Sequence, residues 1–402
     1  MEFRDAVVIG AGPGGLATAA MLKKRGVNAV VLERDGAVGS SWRKHYDRLH
    51  LHTVRWMSNL PGYRFSRRHG RWVSRDGVVR YLEGYVRHHG LEVRTNTEVT
   101  ALERDGDGWR VETSKGDISA SYVVVATGYN HTPYIADYPG KDGFTGELLH
   151  ASSYRNPEPY RGRDVLVVGS GNTGAEIAVD LAEGGAKRVR LAVRTPPNIV
   201  MRELNGVPHQ VNGLLMRRWP PKLVDALARD VRKRAIPDLE PYGLPIPERG
   251  VYTRIIEDDV IPVIDVGLID AVRNGQVEVV GGLEGFDGSD VLLAGGDRIQ
   301  PDAVIVATGW RRGLEPLVGR YGVLGHKGRP VVHGPETHPN APRMYFIGYT
   351  NPISGMFREL NIDARRIARA IARDRASGMP RRQPVGAELP GAPEELAGVN
   401  LR

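Results

Sequence analysis

Two stretches of the chain share one pattern: residues 5–33 read DAVVIGAGPGGLATAAMLKKRGVNAVVLE, and residues 164–194 read DVLVVGSGNTGAEIAVDLAEGGAKRVRLAVR. Each begins with a short apolar run typical of a buried strand, passes through closely spaced glycines into a helical pattern, and ends in a second apolar run. In the first stretch we predict strands over 5–9 and 28–33 and a helix over 14–25. Strand–helix–strand units of about thirty residues favour parallel strands, so the repeat predicts an α/β fold.

The glycines of the first stretch follow the spacing G-x-G-x-x-G at Gly10, Gly12 and Gly15, with a further Gly14. Glycine at these places permits a tight turn, a close approach of the backbone to a pyrophosphate, and close helix–strand packing. The helix then points free N–H groups at the anion. Glu33 follows eighteen residues after Gly15, where an acid can accept hydrogen bonds from a ribose diol and would repel a 2′-phosphate. This predicts a site for FAD or NAD, and its place at the N-terminus favours FAD.

The second stretch repeats this spacing, and its loop consists of Gly169, Ser170, Gly171, Asn172, Thr173 and Gly174. Here the residue that ends the following strand is Arg194, twenty residues after Gly174. A guanidinium can hold a 2′-phosphate through two hydrogen bonds, whereas an acid would repel it. Thr195 adds a hydroxyl. We therefore predict an NADPH site, with a solvated strand end as the alternative role of Arg194.

Shorter patterns predict the remaining elements. A small antiparallel set is predicted over Leu91–Thr95, Val99–Arg104 and Trp109–Thr113, and buried strands are predicted over Tyr122–Ala126, Ala303–Ala307 and Met344–Ile347. Two of the buried strands run into Ala-Thr-Gly, at 126–128 and at 307–309. The helix predicted over Asp363–Ala376 places Ile367 and Ile371 on one face.

The order of the two glycine motifs predicts two Rossmann-like dinucleotide-binding domains, with the NADPH domain inserted into the FAD domain. We assign residues 1–155 and 300–376 to a discontinuous FAD domain and residues 156–299 to the NADPH domain. A proline-rich insertion with helical stretches and no clear strand occupies about 196–250. Residues 377–402 have no apolar periodicity and are predicted to form a flexible tail.

Composition excludes several classes of function. The 402 residues include no cysteine, which excludes disulfide exchange and thiolate metal sites. The net charge is +8, and basic and acidic residues are interspersed along the chain. We therefore expect the positive surface to attract anionic ligands and expect no nucleic-acid partner. His50 and His52 stand at strand spacing without an obvious third ligand, so we expect no metal. No apolar run reaches the length of a membrane span, and Glu2 and Asp5 stand where a signal peptide is basic, so we expect a cytoplasmic protein.

The segment Leu214–Arg234, LLMRRWPPKLVDALARDVRKR, combines an apolar stripe of Leu223, Leu227 and Val231 with several lysines and arginines. Three interpretations are open: a helix docked on the protein with a solvated basic face, a lid over a substrate entrance, or a helix at a membrane surface. Sedimentation with anionic vesicles separates the third from the others. The sequence also leaves a homodimer open.

A third motif lies between the two glycine motifs: FTGELLHASSY over residues 144–154 fits F-x-G-x-x-x-H-x-x-x-[Y/F]. With all three motifs in this order, the chain resembles the flavin-containing monooxygenases, a family of class B flavoprotein monooxygenases, and within it the plant auxin-forming YUCCA type and its bacterial relatives. The related Baeyer–Villiger signature ends in Trp, so Tyr154 favours the flavin-containing group. His150 is either a hydrogen-bonded linker residue or a direct participant in coupling the two cofactors.

The resemblance implies further site residues, since residues 39–61 look like the family segment that wraps the flavin. The implied cofactor contacts, including both Ala-Thr-Gly turns and the late loop at 348–356, are Arg34, Trp42, Arg43, Thr53, Thr127, Gly128, Thr308, Gly309, Gly348 and Asn351. The catalytic candidates are His52, Asn59, His150 and Tyr154. His52 stands where animal-type enzymes carry an asparagine, and the nearest asparagine is Asn59, which makes animal-type oxygenation of amines and sulfides less expected.

The reaction implied by the resemblance has two halves. NADPH passes a hydride to flavin N5, and the reduced flavin then forms a C4a-(hydro)peroxide with O2, which oxygenates a small organic substrate. Residues 262–267, PVIDVG, resemble the YUCCA-type second domain and favour a carbonyl such as a 2-oxo acid over a soft nitrogen or sulfur nucleophile. Three alternatives share the cofactor motifs: an NADPH-dependent flavin oxidase or reductase without oxygen insertion, a Baeyer–Villiger monooxygenase, and a non-catalytic redox sensor. An intact NADPH motif argues against the sensor.

Overall fold

The computed structural model describes residues 1–216 and 219–377. Its strands, in chain order, are β1 Glu2–Ile9, β2 Ala29–Leu32, β3 Val93–Arg94, β4 Val99–Asp105, β5 Gly108–Thr113, β6 Ile118–Val125, β7 Thr132–Pro133, β8 Glu147–His150, β9 Asp164–Val168, β10 Arg188–Val193, β11 Ile199–Met201, β12 Glu203–Leu204, β13 Val207–Pro208, β14 Val263–Asp265, β15 Glu278–Gly281, β16 Leu283–Asp287, β17 Asp290–Leu293, β18 Arg298–Ile299, β19 Ala303–Val306, β20 Trp310–Arg311 and β21 Met344–Phe346. Its α-helices are α1 Pro13–Lys23, α2 Ser40–Arg43, α3 Arg75–His89, α4 Asn172–Glu183, α5 His209–Met216, α6 Pro221–Ala235, α7 Val251–Asp258, α8 Leu268–Arg273, α9 Glu315–Val318 and α10 Met356–Ser377. The predicted α/β class is confirmed.

The first sheet is built around β1, in the order β3-β2-β1-β6-β5-β4, with β21 also paired to β6. The pairs that β1 makes with β2 and β6 are parallel, and so is the pair of β6 with β21. Successive side chains of a strand point to opposite faces. Val8 therefore packs towards α1 and α10, while Val7 packs with Trp109 and Leu314 on the other face. This double burial explains why residues 6–9 of β1 are all apolar, whereas the charged residues of this strand lie in its more exposed first half.

One predicted strand has a different partner from the one expected. We expected Leu91–Thr95 to join β4 and β5 in an antiparallel set, but β3 forms there and pairs in parallel with β2 at the opposite edge of the sheet. The amide of Val31 donates to the carbonyl of Glu92 at 3.0 Å, and the amide of Glu33 donates to that of Arg94 at 2.9 Å. The expected partnership is therefore wrong, because β3 hydrogen-bonds to β2 and has no pairing with β4 or β5.

The second sheet has the order β15-β10-β9-β19-β8, and all its strands are parallel. β9, α4 and β10 form the second predicted strand–helix–strand unit. β8 and β19 were assigned from sequence to the FAD domain within 1–155 and 300–376, yet both lie in this second sheet. Ala303–Val306 is buried on both faces, because Ala303 and Ile305 pack into one apolar cluster while Val304 and Val306 pack into another.

The segment between β10 and β14 contains the predicted helices and also short strands that were not expected. β11 pairs in parallel with β14, and β12 pairs with β13 in a small hairpin. Within the segment Leu214–Arg234, α5 ends at Met216 and α6 begins at Pro221, and residues 217–218 lie outside the described residues. Residues 378–402 of the predicted tail lie outside them as well. In the described part of the chain, no helix combines the length and the apolar character that crossing a membrane requires.

Candidate active site

The first glycine loop connects β1 to α1. Gly10 has φ +107°, and a Cβ there would lie 2.6 Å from the carbonyl oxygen of Ala126. A Cβ at Gly15 would lie 2.0 Å from the carbonyl oxygen of Gly10, so glycine lets the helix pack onto the loop. Nothing lies within 4 Å of the Cβ position of Gly12. The amino end of α1 is thus open to an anion that approaches over Gly12.

Glu33 stands at the end of β2 and is only 8% exposed. Its Oε2 accepts a hydrogen bond from the amide of Ala11 at 2.8 Å, and its Oε1 accepts one from the amide of Asp35 at 3.1 Å. Burial raises the pKa of this carboxyl, and the two amide donors oppose that rise. Each carboxylate oxygen has a second lone pair, so Glu33 can hold the loop and still accept from a ribose hydroxyl.

A cavity of about 890 Å³ extends from this loop. The predicted cofactor residues in its wall are Gly10, Gly12, Gly14, Glu33, Arg34, Trp42, Thr127, Gly128, Gly348 and Asn351. Its size lies at the upper end of the range for small-molecule sites. A free helix terminus, a ribose acceptor and an aromatic wall meet in one space, so these residues fit FAD.

Two predicted flavin contacts lie outside the wall of this cavity. The guanidinium of Arg43 pairs with Glu83 on α3, and its Nε donates to the carbonyl of Val38 at 3.0 Å. The Thr53 hydroxyl lies 2.8 Å from that of Ser58. Both side chains therefore fix the segment that carries Trp42, and neither reaches the cavity.

The first Ala-Thr-Gly turn is held by a tyrosine of the late loop. The amide of Thr127 donates to the hydroxyl of Tyr349 at 3.1 Å, and the two hydroxyls lie 2.8 Å apart. Burial raises the pKa of Tyr349 to about 12, so its phenol stays protonated at neutral pH. This pair fixes the turn beside Gly348 and Gly128, which both line the cavity.

The second glycine loop reproduces the geometry of the first. Gly169 has φ +110°, and a Cβ at Gly174 would lie 1.8 Å from the carbonyl oxygen of Gly169. The Cβ position of Gly171 again has nothing within 4 Å. The amino end of α4 is therefore open over Gly171, as a pyrophosphate requires. Thr173 lies in the first turn of α4, outside the cavity beside this loop.

A cavity of about 100 Å³ lies against this second loop, and Ser170, Gly171 and Thr195 line it. Its volume has room for only part of a dinucleotide, and Arg194, the neighbour of the lining residue Thr195, has an exposed side chain. Asn172 is not in this wall, and its side chain is occupied, since it donates to the carbonyl of Pro262 at 3.0 Å and accepts from an amide of β14. The open glycine and the exposed guanidinium fit NADPH.

His150 is buried at the end of β8. Its Nδ1 accepts from the amide of Ser152 at 3.0 Å, and its Nε2 lies 3.0 Å from the carbonyl oxygen of Gly309. An amide can only donate and a carbonyl can only accept, so the proton is on Nε2. Burial lowers the pKa of His150, which keeps the ring neutral. Both ring nitrogens are thus occupied in tying the linker to the second Ala-Thr-Gly turn. Thr308 and Gly309 of that turn lie outside the large cavity.

Two further catalytic candidates also lie away from the cavity. The Tyr154 hydroxyl donates to Asp180 on α4 at 2.8 Å, and its ring stacks on Tyr160. Burial raises the pKa of Tyr154, so it is a neutral donor. Asn59 accepts from the amide of Phe65 at 2.8 Å and closes a turn. Both residues have structural contacts, and neither faces the predicted cofactor.

His52 pairs with Glu176 on α4, which is 3% exposed and also accepts from the Tyr46 hydroxyl at 3.1 Å. The contact joins the segment 39–61 to the second sheet and does not reach the large cavity. The ring of His50 lies 2.7 Å from the carbonyl oxygen of Arg48. Across the described residues, no three histidine, aspartate or glutamate side chains converge in a possible metal site.

The structure adds wall residues that the sequence analysis missed, among them His45, Ser152, Ile261 and Met356. Burial, together with the nearby Arg155, lowers the pKa of His45 to about 4, so its imidazole is neutral. His45 could have been found, since it lies three residues after Trp42. Ile261 carried no local signal, and it lines both cavities.

Comparison with known proteins agrees with this geometry. The family model described as pyridine nucleotide-disulphide oxidoreductase matches residues 7–203, which contain both glycine loops. A flavin-containing monooxygenase from Stenotrophomonas maltophilia superposes with a TM-score of 0.71 at 23% identity, over 92% of this chain and 99% of that one. An open structure of cyclohexanone monooxygenase gives a TM-score of 0.70 at 20% identity, over 94% and 89%. These structures share the fold.

The curated relatives are more similar in sequence. YUCCA8 of Arabidopsis thaliana is 33% identical, over 91% of this chain and 88% of its own length. The indole-3-pyruvate monooxygenase YUCCA1 of Oryza sativa subsp. japonica is 34% identical over 351 residues, or 86% of each chain. With this identity across nearly its whole length, and with sites that fit both nucleotides, the chain belongs to the flavin-containing monooxygenase family of FAD- and NADPH-dependent oxidoreductases.

Proposed function

We propose that this enzyme oxidatively decarboxylates an aryl 2-oxo acid. In the balanced reaction, R–CO–COO⁻, O2, NADPH and H⁺ give R–COO⁻, CO2, NADP⁺ and H2O. One oxygen atom of O2 enters the carboxylate and the other leaves as water. The bond between the carbonyl carbon and the carboxylate carbon breaks, and NADPH supplies the two electrons.

The observation that carries this proposal is the 34% identity, over 86% of both chains, to a relative named for indole-3-pyruvate. The cavity is compatible with such a substrate, because Trp42 and Trp310 offer aromatic faces and Lys44, which pairs with Asp35, lies in the same wall. Asn351 and Tyr129 add polar groups in the same wall.

We further propose two nucleotide domains, with the NADPH domain inserted into the FAD domain. Strand membership favours boundaries other than those drawn from sequence, because β8 and β19 belong with β9 and β10. The change of sheet then falls within 126–147 on the outward path and within 306–315 on the return. Each domain would place its glycine loop at the carboxyl end of its first central strand, where such folds bind nucleotides.

In the proposed reaction, the residues of the chain would bind the two nucleotides, orient them and exclude water from the site. Gly12 and Gly171 leave room for two pyrophosphates at helix amino ends, Glu33 accepts from a ribose, and Arg194 binds a 2′-phosphate. The neutral His45 offers hydrogen bonding in the flavin cavity without adding a charge. Bound FAD supplies hydride acceptance and the reaction with O2, which amino-acid side chains do not provide.

The test uses the FAD-loaded enzyme with NADPH, ¹⁸O2 and indole-3-pyruvate, in the presence of catalase. Catalase is necessary because free H2O2 itself decarboxylates 2-oxo acids. We expect one ¹⁸O atom in the product carboxylate, with one NADPH consumed for each product formed. Indole-3-lactate is the matched control, because it lacks the carbonyl and should give no product.

Other outcomes would contradict the proposal in distinct ways. NADPH consumption without product in the presence of catalase, together with stoichiometric H2O2 when both catalase and the 2-oxo acid are left out, would indicate a flavin oxidase. An ester formed from a cyclic ketone, with no product from the 2-oxo acid, would indicate Baeyer–Villiger chemistry. Oxygenation of an amine or sulfide alone would assign the enzyme to nitrogen or sulfur substrates.

A further inference from the structure

The second nucleotide site has a neighbour that no glycine motif predicts. Helix α7, Val251–Asp258, comes from the segment between β10 and β14, and its Arg254 lines the cavity beside Ser170 and Gly171. Among the described residues that form this wall, Arg254 is the one with a charged side chain. Its side chain is 15% exposed, so solvent screens the charge only in part.

The contacts of Arg254 hold the guanidinium in place and leave most of its donors available. One terminal nitrogen donates to the carbonyl of Pro196 at 3.0 Å. Its Nε lies 3.9 Å from Asp258, beyond hydrogen-bond distance. Asp258 is bound more closely by Arg249, whose Nη1 lies 2.7 Å from both carboxylate oxygens. The charge of Arg254 is therefore poorly compensated within the chain.

The carbonyl that Arg254 binds lies where the phosphates of a dinucleotide are expected. Pro196 directly follows Arg194 and Thr195 at the end of β10, and the Ser170 hydroxyl donates to the carbonyl of Thr195 at 3.3 Å. The end of β10 and the glycine loop thus meet beside Arg254. A positive charge that faces both is suited to a phosphate group.

We propose that Arg254 binds a phosphate group of NADPH, so that the segment between β10 and β14 supplies a second cation beside Arg194. This inference rests on the NADPH site described above. It also gives α7 a function, since a helix outside the strand–helix–strand unit contributes to nucleotide affinity. Either the pyrophosphate or the 2′-phosphate can be the partner, and the test separates them.

The test is calorimetric titration of the FAD-loaded protein with NADP⁺ and with NAD⁺, which does not depend on turnover. Arg254→Gln should raise the dissociation constant for NADP⁺ about ten- to a hundredfold, the effect of losing a charge-assisted hydrogen bond. An equal rise for NAD⁺ identifies the pyrophosphate as the partner, and a rise for NADP⁺ alone identifies the 2′-phosphate. Arg234→Gln is the matched control, because Arg234 lies in the same segment between β10 and β14, is exposed and pairs with Asp230 outside the cavity, and we expect no change.

The inference is overturned if Arg254→Gln binds both nucleotides like the wild type. A wild type that binds neither nucleotide would instead refute the NADPH site itself, so the two failures are distinguishable. If Arg254→Gln loses FAD or fails to fold, Arg254→Met replaces it, since a long side chain stays and the charge is lost. Weaker NADP⁺ binding by Arg254→Met then supports the inference, and wild-type affinity refutes it.

Discussion

Arg194 is the residue on which discrimination between NADPH and NADH should depend. Arg194→Ala is expected to raise KM for NADPH about ten- to a hundredfold, because one charge-assisted hydrogen bond contributes about 1.5–3 kcal/mol. KM for NADH should change by less than about twofold, since NADH has no 2′-phosphate. Steady-state kinetics with both nucleotides measures the difference.

Arg188→Ala is the matched control for that measurement. Arg188 lies on the same strand and pairs with Glu278 at the exposed edge. Its loss should leave both Michaelis constants unchanged. An equal rise for NADPH and NADH in Arg194→Ala would contradict the contact with a 2′-phosphate.

Single residues were predictable where the neighbours that orient them are close in sequence. Glu33 and Gly12 reach the cavity because a strand end and a helix start fix their direction. Arg43 and Thr53 lie in the expected segment. However, Arg43 pairs with Glu83 on α3 and the Thr53 hydroxyl contacts that of Ser58, so neither side chain lines the cavity. No local pattern encodes a partner forty residues away.

At the scale of elements, the two glycine loops allow a paired experiment. Gly15→Ala should abolish FAD retention, because its Cβ would lie 2.0 Å from a backbone oxygen of the first loop. Gly174→Ala should leave FAD content intact and abolish NADP⁺ binding, because its Cβ would lie 1.8 Å from a backbone oxygen of the second. Flavin absorbance and calorimetry report the two losses separately.

Gly143→Ala controls for a general effect of the added methyl group, since nothing lies within 4 Å of that Cβ position. It should retain FAD and bind NADP⁺ like the wild type. If each loop variant lost both nucleotides to the same extent, the two loops would not serve separate sites.

The linker strand β8 gives a second prediction at this scale. His150→Phe keeps a ring against Trp310 but leaves the amide of Ser152 without its partner, while the carbonyl of Gly309 keeps its hydrogen bond from the amide of Tyr134. We expect the free energy of unfolding to fall by about 1–3 kcal/mol. The rate of flavin bleaching by NADPH should stay within about threefold, because neither ring nitrogen is available to a cofactor. A stable, FAD-loaded variant with much slower bleaching would favour a direct role in coupling.

Among the elements, both strand–helix–strand units were predictable because their pairing is local. The partners of β3, β8 and β19 were not, since each pairs with a strand far away in sequence. An apolar run shows that a strand is buried but does not show which sheet buries it. The sequence-based domain boundaries depended on that missing information.

At the scale of the whole molecule, the segment 39–61 joins the two sheets. Tyr46 and His52 bind Glu176 on α4, and Arg48 pairs with Glu183 on the same helix. Arg202, which directly follows β11, also donates a hydrogen bond to the carbonyl of Leu51 in this segment, at 2.6 Å. The segment that lines the flavin cavity is therefore also the segment that positions α4 and its nucleotide loop.

Global stability should depend on pH through His45. Its pKa is about 4 in the folded protein, because burial and the charges of Arg155 and Arg75 outweigh Glu176, and it is about 6.5 in an unfolded chain. Between these values the unfolded chain binds a proton that the folded protein does not, so stability falls as the pH drops below about 6.5. The slope contributed by His45 is up to about 1.4 kcal/mol per pH unit.

Urea unfolding of the FAD-saturated protein at about pH 7 and about pH 5.5 measures this slope. His333, whose pKa burial also lowers to about 4, contributes in the same direction. His45→Asn should therefore remove part of the slope. A wild-type slope in His45→Asn would show that the His45 imidazole accepts a proton in the folded protein.

Because Ile261 belongs to the walls of both cavities, the sites that fit the two nucleotides share one wall residue. Occupying one side restricts this side chain before the other side is filled, so the second ligand loses less freedom on binding. Thermodynamic linkage makes this effect reciprocal. The factor by which NADP⁺ increases the affinity for FAD equals the factor by which FAD increases the affinity for NADP⁺. Enzyme that loses its yellow colour on dilution should keep it in buffer containing NADP⁺.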